Sequence, residues 1–254
     1  MNDTVLSLEA VEKRYGSTHA LNGVSMSVSR GQFYGLAGVN GAGKSTLLKC
    51  MLDFCAVDAG KIHIFGAPHT DPRSRTQLTF LPERFTPPHY LTGGDFLRFM
   101  LKLQGRDASA ADVPRVLEAL DFDLEALARP VRTYSKGMTQ KIGLAGCFLS
   151  QRSLYVLDEP MSGLDPKARA YLKKFLKELK EQGATLVFTS HSLADIDEVC
   201  DHMMVLHRGV PYYSGPPDAL CQYYGQPSME EAFLRCIEAP GYARQHKKTG
   251  TTDC

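Results

Sequence analysis

The chain lacks any long apolar run. No segment of its 254 residues approaches the roughly 20 consecutive apolar residues that cross a bilayer as a helix. The N-terminal segment 1–16 has neither the charged start nor the apolar centre of a signal peptide. We therefore expect any contact with a membrane to be made through a partner protein.

The chain also lacks a strong charge of either sign and any paired cysteine motif. Its net charge of +1 and sequence pI near 7.6 argue against a nucleic-acid binder that works through a large basic face. The cysteines are seven in number, without a CxxC pair, which predicts reduced thiols in a cytosolic compartment rather than a disulfide frame or a zinc site. They are Cys50, Cys55, Cys147, Cys200, Cys221, Cys236 and Cys254.

The hydrophobic patterning predicts an α/β core with a helical insertion. Hydrophobic residues make up 43% of the chain, enough for one compound domain. Alternating apolar residues predict antiparallel strands in the first third of the chain, and helical periodicity marks the middle. Strand and helix then alternate again after Ser150, and Ser228 and Glu231 predict the start of a short C-terminal helix. We expect the insertion at about residues 84–150.

A phosphate-binding loop is predicted between a short apolar strand, Phe33–Ala37, and a helix that begins at Lys44. The motif has the form GxxxxGK[ST] in that structural context. Glycines let backbone N–H groups curl around a phosphate, the Lys44 ammonium reaches the β- and γ-phosphates, and the Ser45 hydroxyl is a ligand for Mg²⁺. The loop residues are Gly38, Val39, Asn40, Gly41, Ala42, Gly43, Lys44 and Ser45.

Two carboxylates follow a second apolar strand, Leu154–Leu157. Ligands of open α/β sheets bind beyond the carboxyl ends of the strands, so we expect Asp158 to hold Mg²⁺ through a water and Glu159 to orient and deprotonate the attacking water. His191 ends the next strand, and a contact to the γ-phosphate is predicted for it. The catalytic residues predicted are therefore Glu159 and His191.

With these motifs in order, the chain resembles the nucleotide-binding subunit of ABC transporters from about Leu6 to Gly215. Residues 134–140, Tyr-Ser-Lys-Gly-Met-Thr-Gln, look like the family's signature loop, and residues 162–165, Ser-Gly-Leu-Asp, look like its D-loop. The fold implied is α/β: a P-loop NTPase core of the ABC type, a mixed sheet with an N-terminal antiparallel β part, and an inserted helical subdomain. The domain implied spans 1–225, with core segments 1–83 and 151–225, before a short helix and frayed tail at 226–254.

The resemblance also implies cofactors, partners and further site residues. It implies ATP and Mg²⁺, a head-to-tail dimer with a second copy, an integral membrane permease and a place on the cytoplasmic face of the plasma (inner) membrane. Tyr15 matches the aromatic residue that stacks on adenine, and Ser135, Gly137 and Asp165 would serve the partner's ATP in trans. Nucleotide contacts would also come from Thr46, Glu83 and Asp158, with Ser45, Glu83 and Asp158 around the metal, partly through water.

The chain departs from the commoner family pattern at two places. Glu83 stands where the family usually has glutamine, and Lys136 and Met138 replace the more frequent glycine and glutamine of the signature loop. These residues, with the tail segment 228–234, look like the exporter branch often called ABC-2. Two alternatives stay open: a soluble ABC ATPase that acts on a nucleic-acid or ribosomal complex without a membrane partner, and a degenerate cassette that binds ATP without turnover.

The loop after Glu83 is predicted to link nucleotide and membrane partner. It contains two prolines, two glycines and the apolar or aromatic side chains of Phe85, Tyr90 and Leu91. By resemblance it would form a groove that receives a short helix of the membrane subunit. The alternative is that these side chains simply pack under the helical insertion.

Overall fold

The computed structural model describes residues 3–106 and 112–238 of the chain. They form two compact units: the first unit is made of the described residues 3–76 and 185–238, and the second unit of the described residues between 77 and 184. The predicted insertion, 84–150, lies inside the second unit, which also contains the strands that flank it. The predicted domain boundaries themselves stay a prediction, and the tail beyond residue 238 lies outside the described residues.

The strands and helices follow in chain order. The strands are β1 Thr4–Tyr15, β2 Thr18–Ser29, β3 Phe33–Ala37, β4 Ala59–Ile64, β5 Ala67–Pro68, β6 Leu78–Leu81, β7 Leu154–Leu157, β8 Thr185–Ser190, β9 His202–His207 and β10 Val210–Gly215. The helices are α1 Lys44–Met51, α2 Gly93–Leu103, α3 Asp112–Ala119, α4 Lys136–Leu149, α5 Pro166–Glu181, α6 Leu193–Val199, α7 Pro217–Tyr224 and α8 Met229–Glu238. Short 3₁₀ turns lie at Pro72–Arg75, Leu124–Ala128 and Val131–Thr133.

The first unit contains two sheets. One is antiparallel with strand order β2-β1-β4-β5. Alternate side chains are buried along most of β2, as the apolar–polar alternation requires, whereas β1 buries the adjacent residues Val5 and Leu6 next to an irregularity in its pairing. The other has β3 between β8 and β9, parallel to both, with β10 antiparallel on the far side of β9. The predicted mixed sheet with an N-terminal antiparallel part is confirmed.

The second unit is mainly helical. Strands β6 and β7 pair in parallel, and α4 is buried along nearly all of its second half, from Ile142 to Leu149. Helix α5 buries one apolar stripe, Ala168, Leu172, Phe175, Leu176 and Leu179, and its opposite face carries lysines and glutamates. Among the residues described, none of the helices combines the length and the apolar content that a membrane span requires.

Polar side chains cap the N-termini of several helices. Thr92 accepts a hydrogen bond from the Asp95 N–H at the start of α2, and Ser228 accepts one from the Glu231 N–H at 3.2 Å at the start of α8. Both pairs satisfy amides that have no partner inside their helix. The helix start predicted at Ser228 and Glu231 is confirmed.

Candidate functional site

The phosphate loop connects β3 to α1 in the first unit. Two of its three glycines are required by close packing: a Cβ on Gly43 would lie 2.6 Å from the Ala20 carbonyl oxygen, and a Cβ on Gly38 would collide with the Leu206 carbonyl. The third, Gly41, has room for a Cβ but adopts a left-handed φ of 79°. Gly43 is the N-cap of α1 with φ of 109°, and it has no side chain to accept the amides of the first turn. The backbone donors at this helix start are therefore arranged as an anion site requires.

Lys44 is held inside the loop rather than in solvent. Its side chain is only 8% exposed, and its ammonium donates to the carbonyl oxygens of Gly38 at 2.6 Å and Val39 at 3.4 Å. Carbonyl oxygens are weak substitutes for a phosphate, which carries full negative charge. The ammonium is thus positioned at the centre of the loop, where a phosphate group would be the stronger acceptor.

His191 lies at the same sheet edge as the phosphate loop. In the parallel pairing of β3 with β8, Ala37 is opposite Ser190, so Gly38 and His191 are the first residues to leave two neighbouring strands. His191 is exposed. The first unit therefore brings together the loop and the histidine that the sequence analysis assigned to phosphate contacts.

Tyr15 ends β1 and is paired with Thr18 across the tight turn to β2. Its ring is 51% exposed, which leaves a face open for stacking, and the Lys13 ammonium lies 5.5 Å from the ring centroid. A hydrogen bond to Cys55 is the main cause that raises the pKa of the Tyr15 hydroxyl to about 12. The tyrosine therefore stays neutral at physiological pH.

The β9–β10 hairpin supports the phosphate loop, and the sequence analysis missed it. The Gly209 N–H donates to the Ala42 carbonyl at 2.8 Å, and the Gly209 carbonyl accepts from the Asn22 N–H at 2.8 Å. The hairpin turn, Arg208 and Gly209, has φ values of 49° and 75°, as a two-residue type I′ turn requires. An X-Gly pair between two apolar runs is the signal that could have revealed it.

The second unit positions the three predicted carboxylates. Leu81 is opposite Leu157 in the parallel pair β6–β7, and the Asp158 N–H donates to the Leu81 carbonyl at 2.8 Å. Asp158 and Glu159 are 6% and 9% exposed, respectively, whereas Glu83 is exposed two residues beyond β6. All three acids thus leave the carboxyl ends of adjacent strands, and carboxylate oxygens suit Mg²⁺.

The signature loop and the D-loop contact each other within the second unit. Ser135 is the N-cap of α4 and accepts from the Met138 N–H at 3.2 Å. A Cβ on Gly137 would lie 3.0 Å from the Gly163 carbonyl oxygen, and the methylenes of Lys136 cover Gly163. Asp165 caps α5 by accepting from the Ala168 N–H at 2.8 Å. Gly137 is therefore packed against Gly163 of the D-loop, the loop in which Asp165 also lies.

Comparison with known proteins decides the family. The model of the ABC transporter family matches residues 21–162, more than half of the chain. The chain belongs to the ABC transporter family. The predicted family membership and ABC-type fold are thereby confirmed.

Several ABC proteins are similar along most of the chain. An uncharacterized ABC transporter ATP-binding protein of Nostoc sp. is 36% identical over 79% of this chain, and the chain spans only 61% of that relative's length. Nod factor export ATP-binding protein I of Bradyrhizobium diazoefficiens is 32% identical, with 99% of this chain and 85% of the relative covered. A solved structure of an ATP-binding subunit of an ABC transporter is 31% identical with a TM-score of 0.82, covering 91% of this chain and 99% of that one.

Proposed function

We propose that this ABC cassette binds ATP at its phosphate loop, hydrolyses it, and powers a separate membrane subunit. The observation that carries the proposal is the Gly38–Ser45 loop with Lys44 buried at its centre, at the edge of the sheet where His191 also lies. Loop amides and the Lys44 ammonium bind the β- and γ-phosphates, and the half-exposed ring of Tyr15 stacks on adenine.

The reaction is water attack on the γ-phosphate. Glu159 orients the water and accepts its proton, and His191 donates a hydrogen bond to the γ-phosphate, so that charge developing in the transition state is stabilised. Ser45, Asp158 and Glu83 supply the hydroxyl and carboxylate oxygens that suit Mg²⁺, partly through water. When bound, Mg²⁺ neutralises charge on the β- and γ-phosphates.

The ATP site is completed by a second copy of the chain in a head-to-tail dimer. The support is the exposed cap of α4: Ser135 is exposed, and its helix start offers backbone amides with a favourable partial charge for a phosphate. Gly137 packs against Gly163 of the D-loop, and Asp165 follows two residues later in that loop. We assign these three residues to the ATP held by Lys44 of the partner.

The membrane partner that we propose is an export permease at the cytoplasmic face of the plasma (inner) membrane. Glu83, Lys136 and Met138 match the ABC-2 branch, and one similar protein is named for Nod factor export. The relatives reported above are transporter ATP-binding proteins, so we do not propose action on a nucleic-acid or ribosomal complex. Intact Glu159 and His191 likewise argue against a cassette without turnover.

Replacing Lys44 with alanine tests ATP binding. Lys44→Ala removes the principal cation of the loop, so ATP affinity measured by titration calorimetry is expected to fall about tenfold or more. Lys49→Ala is the matched control, because Lys49 is an exposed lysine on the same helix. Equal ATP affinities for the two variants would contradict the assigned binding site.

A further inference from the structure

Two cysteines face each other at the end of α1. The Cys50 and Cys55 sulfur atoms are 3.5 Å apart, and both thiols are free. Cys50 is fully buried on the helix, whereas Cys55 is partly exposed in the loop that follows. A disulfide has an S–S distance of about 2 Å, so a small movement of the Cys55 loop would join the two sulfur atoms.

The loop between the two cysteines is held by backbone hydrogen bonds. The Asp53 N–H donates to the Cys50 carbonyl at 3.1 Å, and the Phe54 N–H donates to the Lys49 carbonyl at 2.8 Å. These bonds turn the chain back on the helix end and keep Cys55 over Cys50. The pair is therefore preorganised by the fold rather than by chance contact of long side chains.

The thiol pair is connected to the adenine end of the nucleotide site. Cys55 lies beside the hydroxyl of Tyr15 and raises the pKa of that hydroxyl. Next to it, the Lys13 ammonium, which lies over the Tyr15 ring, forms an ion pair of 3.2 Å with Asp58. A change at the Cys55 sulfur thus removes a partner of the residue assigned to adenine stacking.

We propose that Cys50 and Cys55 form an oxidative modification site, at which a low-molecular-weight disulfide converts the two thiols to an intramolecular disulfide and weakens nucleotide binding. The assignment of the thiol pair stands on geometry alone. Its effect on nucleotide binding rests on the proposed function, through Tyr15.

The reaction is two successive thiol–disulfide exchanges. The Cys55 thiolate, the accessible one, attacks oxidised glutathione, forms a mixed disulfide and releases one glutathione thiolate. The Cys50 thiolate then attacks the Cys55 sulfur, closes the disulfide and releases the second glutathione. Two protein thiols are oxidised, one glutathione disulfide is reduced to two thiols, and the two protons pass to the departing thiolates.

The burial of Cys50 sets the pH dependence of closure. Burial, followed by the hydrogen bond to Cys55, raises the pKa of the Cys50 thiol to about 12. Since the thiolate is the nucleophile, the closing step should accelerate by about tenfold per pH unit below that pKa. Closure is therefore slow at neutral pH and is promoted by alkaline conditions.

Mass spectrometry of the whole chain after oxidation tests the site directly. Trypsin releases residues 50–61 as one peptide, since Lys49 precedes Cys50 and Lys61 is the next basic residue. After treatment with oxidised glutathione, this peptide should lose two hydrogen atoms and regain them with dithiothreitol. A peptide that keeps both thiols, or that carries glutathione on Cys55 without closing at alkaline pH, overturns the proposal.

Titration calorimetry with ATP tests the consequence. The oxidised chain should bind ATP about three- to tenfold more weakly than the reduced chain, the range expected for one aromatic stacking contact. Cys55→Ser is the matched variant, because serine keeps a small polar side chain beside Tyr15 but cannot form a disulfide, so glutathione disulfide should leave its affinity unchanged. Equal affinities of the oxidised and reduced chains overturn the coupling to Tyr15, whereas absence of ATP binding by the reduced chain would contradict the proposed function instead.

Discussion

Glu159 is buried and strained in its backbone. Its φ of 50° lies in the left-handed region, which costs a non-glycine residue about 1–2 kcal/mol, and its side chain is 9% exposed. Such a conformation persists only where the surrounding structure enforces it. Here the preceding residue is fixed by the hydrogen bond from the Asp158 N–H to the Leu81 carbonyl, and the Ser162 N–H donates to the Glu159 carbonyl at 3.0 Å.

Replacing Glu159 with glutamine tests the catalytic role of its carboxylate while the size of the side chain is kept. Glu159→Gln keeps the size and the backbone, but it removes the carboxylate that accepts the proton of water, so ATP hydrolysis should fall by about 10² or more. ATP should then accumulate on a trapped dimer, visible by light scattering. Glu181→Gln, at the exposed end of α5, is the control, and a Glu159→Gln chain with unchanged turnover would show that another group is the base.

At this scale, the identity of the site residues could be predicted, but their conformations could not. Lys44 and Asp158 are assigned by motif spacing because a phosphate loop and an acidic strand end require those residue types. The left-handed backbone of Glu159 is not predictable, since glutamate has no preference for that region. The thiol pair Cys50 and Cys55 was likewise missed, because their spacing of five matches no cysteine motif.

At the scale of elements, the hairpin β9–β10 acts as a support for the phosphate loop. Gly209 joins it to both Ala42 and Asn22 by backbone hydrogen bonds. A Cβ on Gly209 would lie 2.6 Å from the Ala20 carbonyl oxygen, closer than real Cβ contacts. The shape of the loop therefore depends on a glycine that is 164 to 171 positions later in the chain than the loop itself.

A comparison of two glycines with nearly equal φ values measures the effect of the close approach between Gly209 and the Ala20 carbonyl. Gly209→Ala and Gly31→Ala both place alanine at φ near 75°, but a Cβ on Gly31 meets nothing within 4 Å. We expect Gly31→Ala to lower Tm by about 2–4 °C for the left-handed conformation alone. Gly209→Ala should lower Tm further and also weaken ATP binding, as calorimetry would measure; equal losses for both variants would show that the hairpin does not shape the loop.

The same hairpin shows why some elements escape prediction. Strand β10 contains Pro211, which usually argues against a strand, yet β10 is the edge strand of its sheet, where a missing N–H is tolerated. Helices α6 and α7 have only 7 and 8 residues, too short for a clear period. By contrast, α5 has 16 residues with a full apolar stripe and a stop at Gly183, and the sequence predicts it well.

At the scale of the whole molecule, the loop after Glu83 contains two aromatic residues with different surroundings, one packed against other side chains and one exposed. A Cβ on Gly143 would lie 2.8 Å from the Phe85 ring, and Phe85 makes an edge contact with Phe96 at 5.5 Å between ring centroids. Packing under the helical insertion is thus the role of Phe85. Tyr90 is 84% exposed and stays the candidate for docking of a membrane subunit.

Changing Tyr90 therefore tests assembly without disturbing the fold. Tyr90→Asp should abolish co-purification with the membrane partner, because it places a charge on an apolar contact, while Tm and ATP affinity remain near those of the parent chain. Tyr171→Asp is the control, since Tyr171 is also an exposed tyrosine of the second unit. If the Tyr90→Asp chain still co-purifies and supports transport, the docking surface lies elsewhere.

A mixture of two inactive chains tests whether the catalytic site is shared between copies. Lys44→Ala disables the phosphate loop of its own chain, and Gly137→Asp disables the signature loop, because any side chain there meets the Gly163 carbonyl and a carboxylate repels phosphate. In a head-to-tail heterodimer, the intact loop of one chain meets the intact signature of the other, so one complete site forms. ATP hydrolysis should therefore reappear on mixing, although each variant alone is inactive. The control is each variant mixed with itself, and a mixture that stays as inactive as its components would mean that every site is complete within one chain.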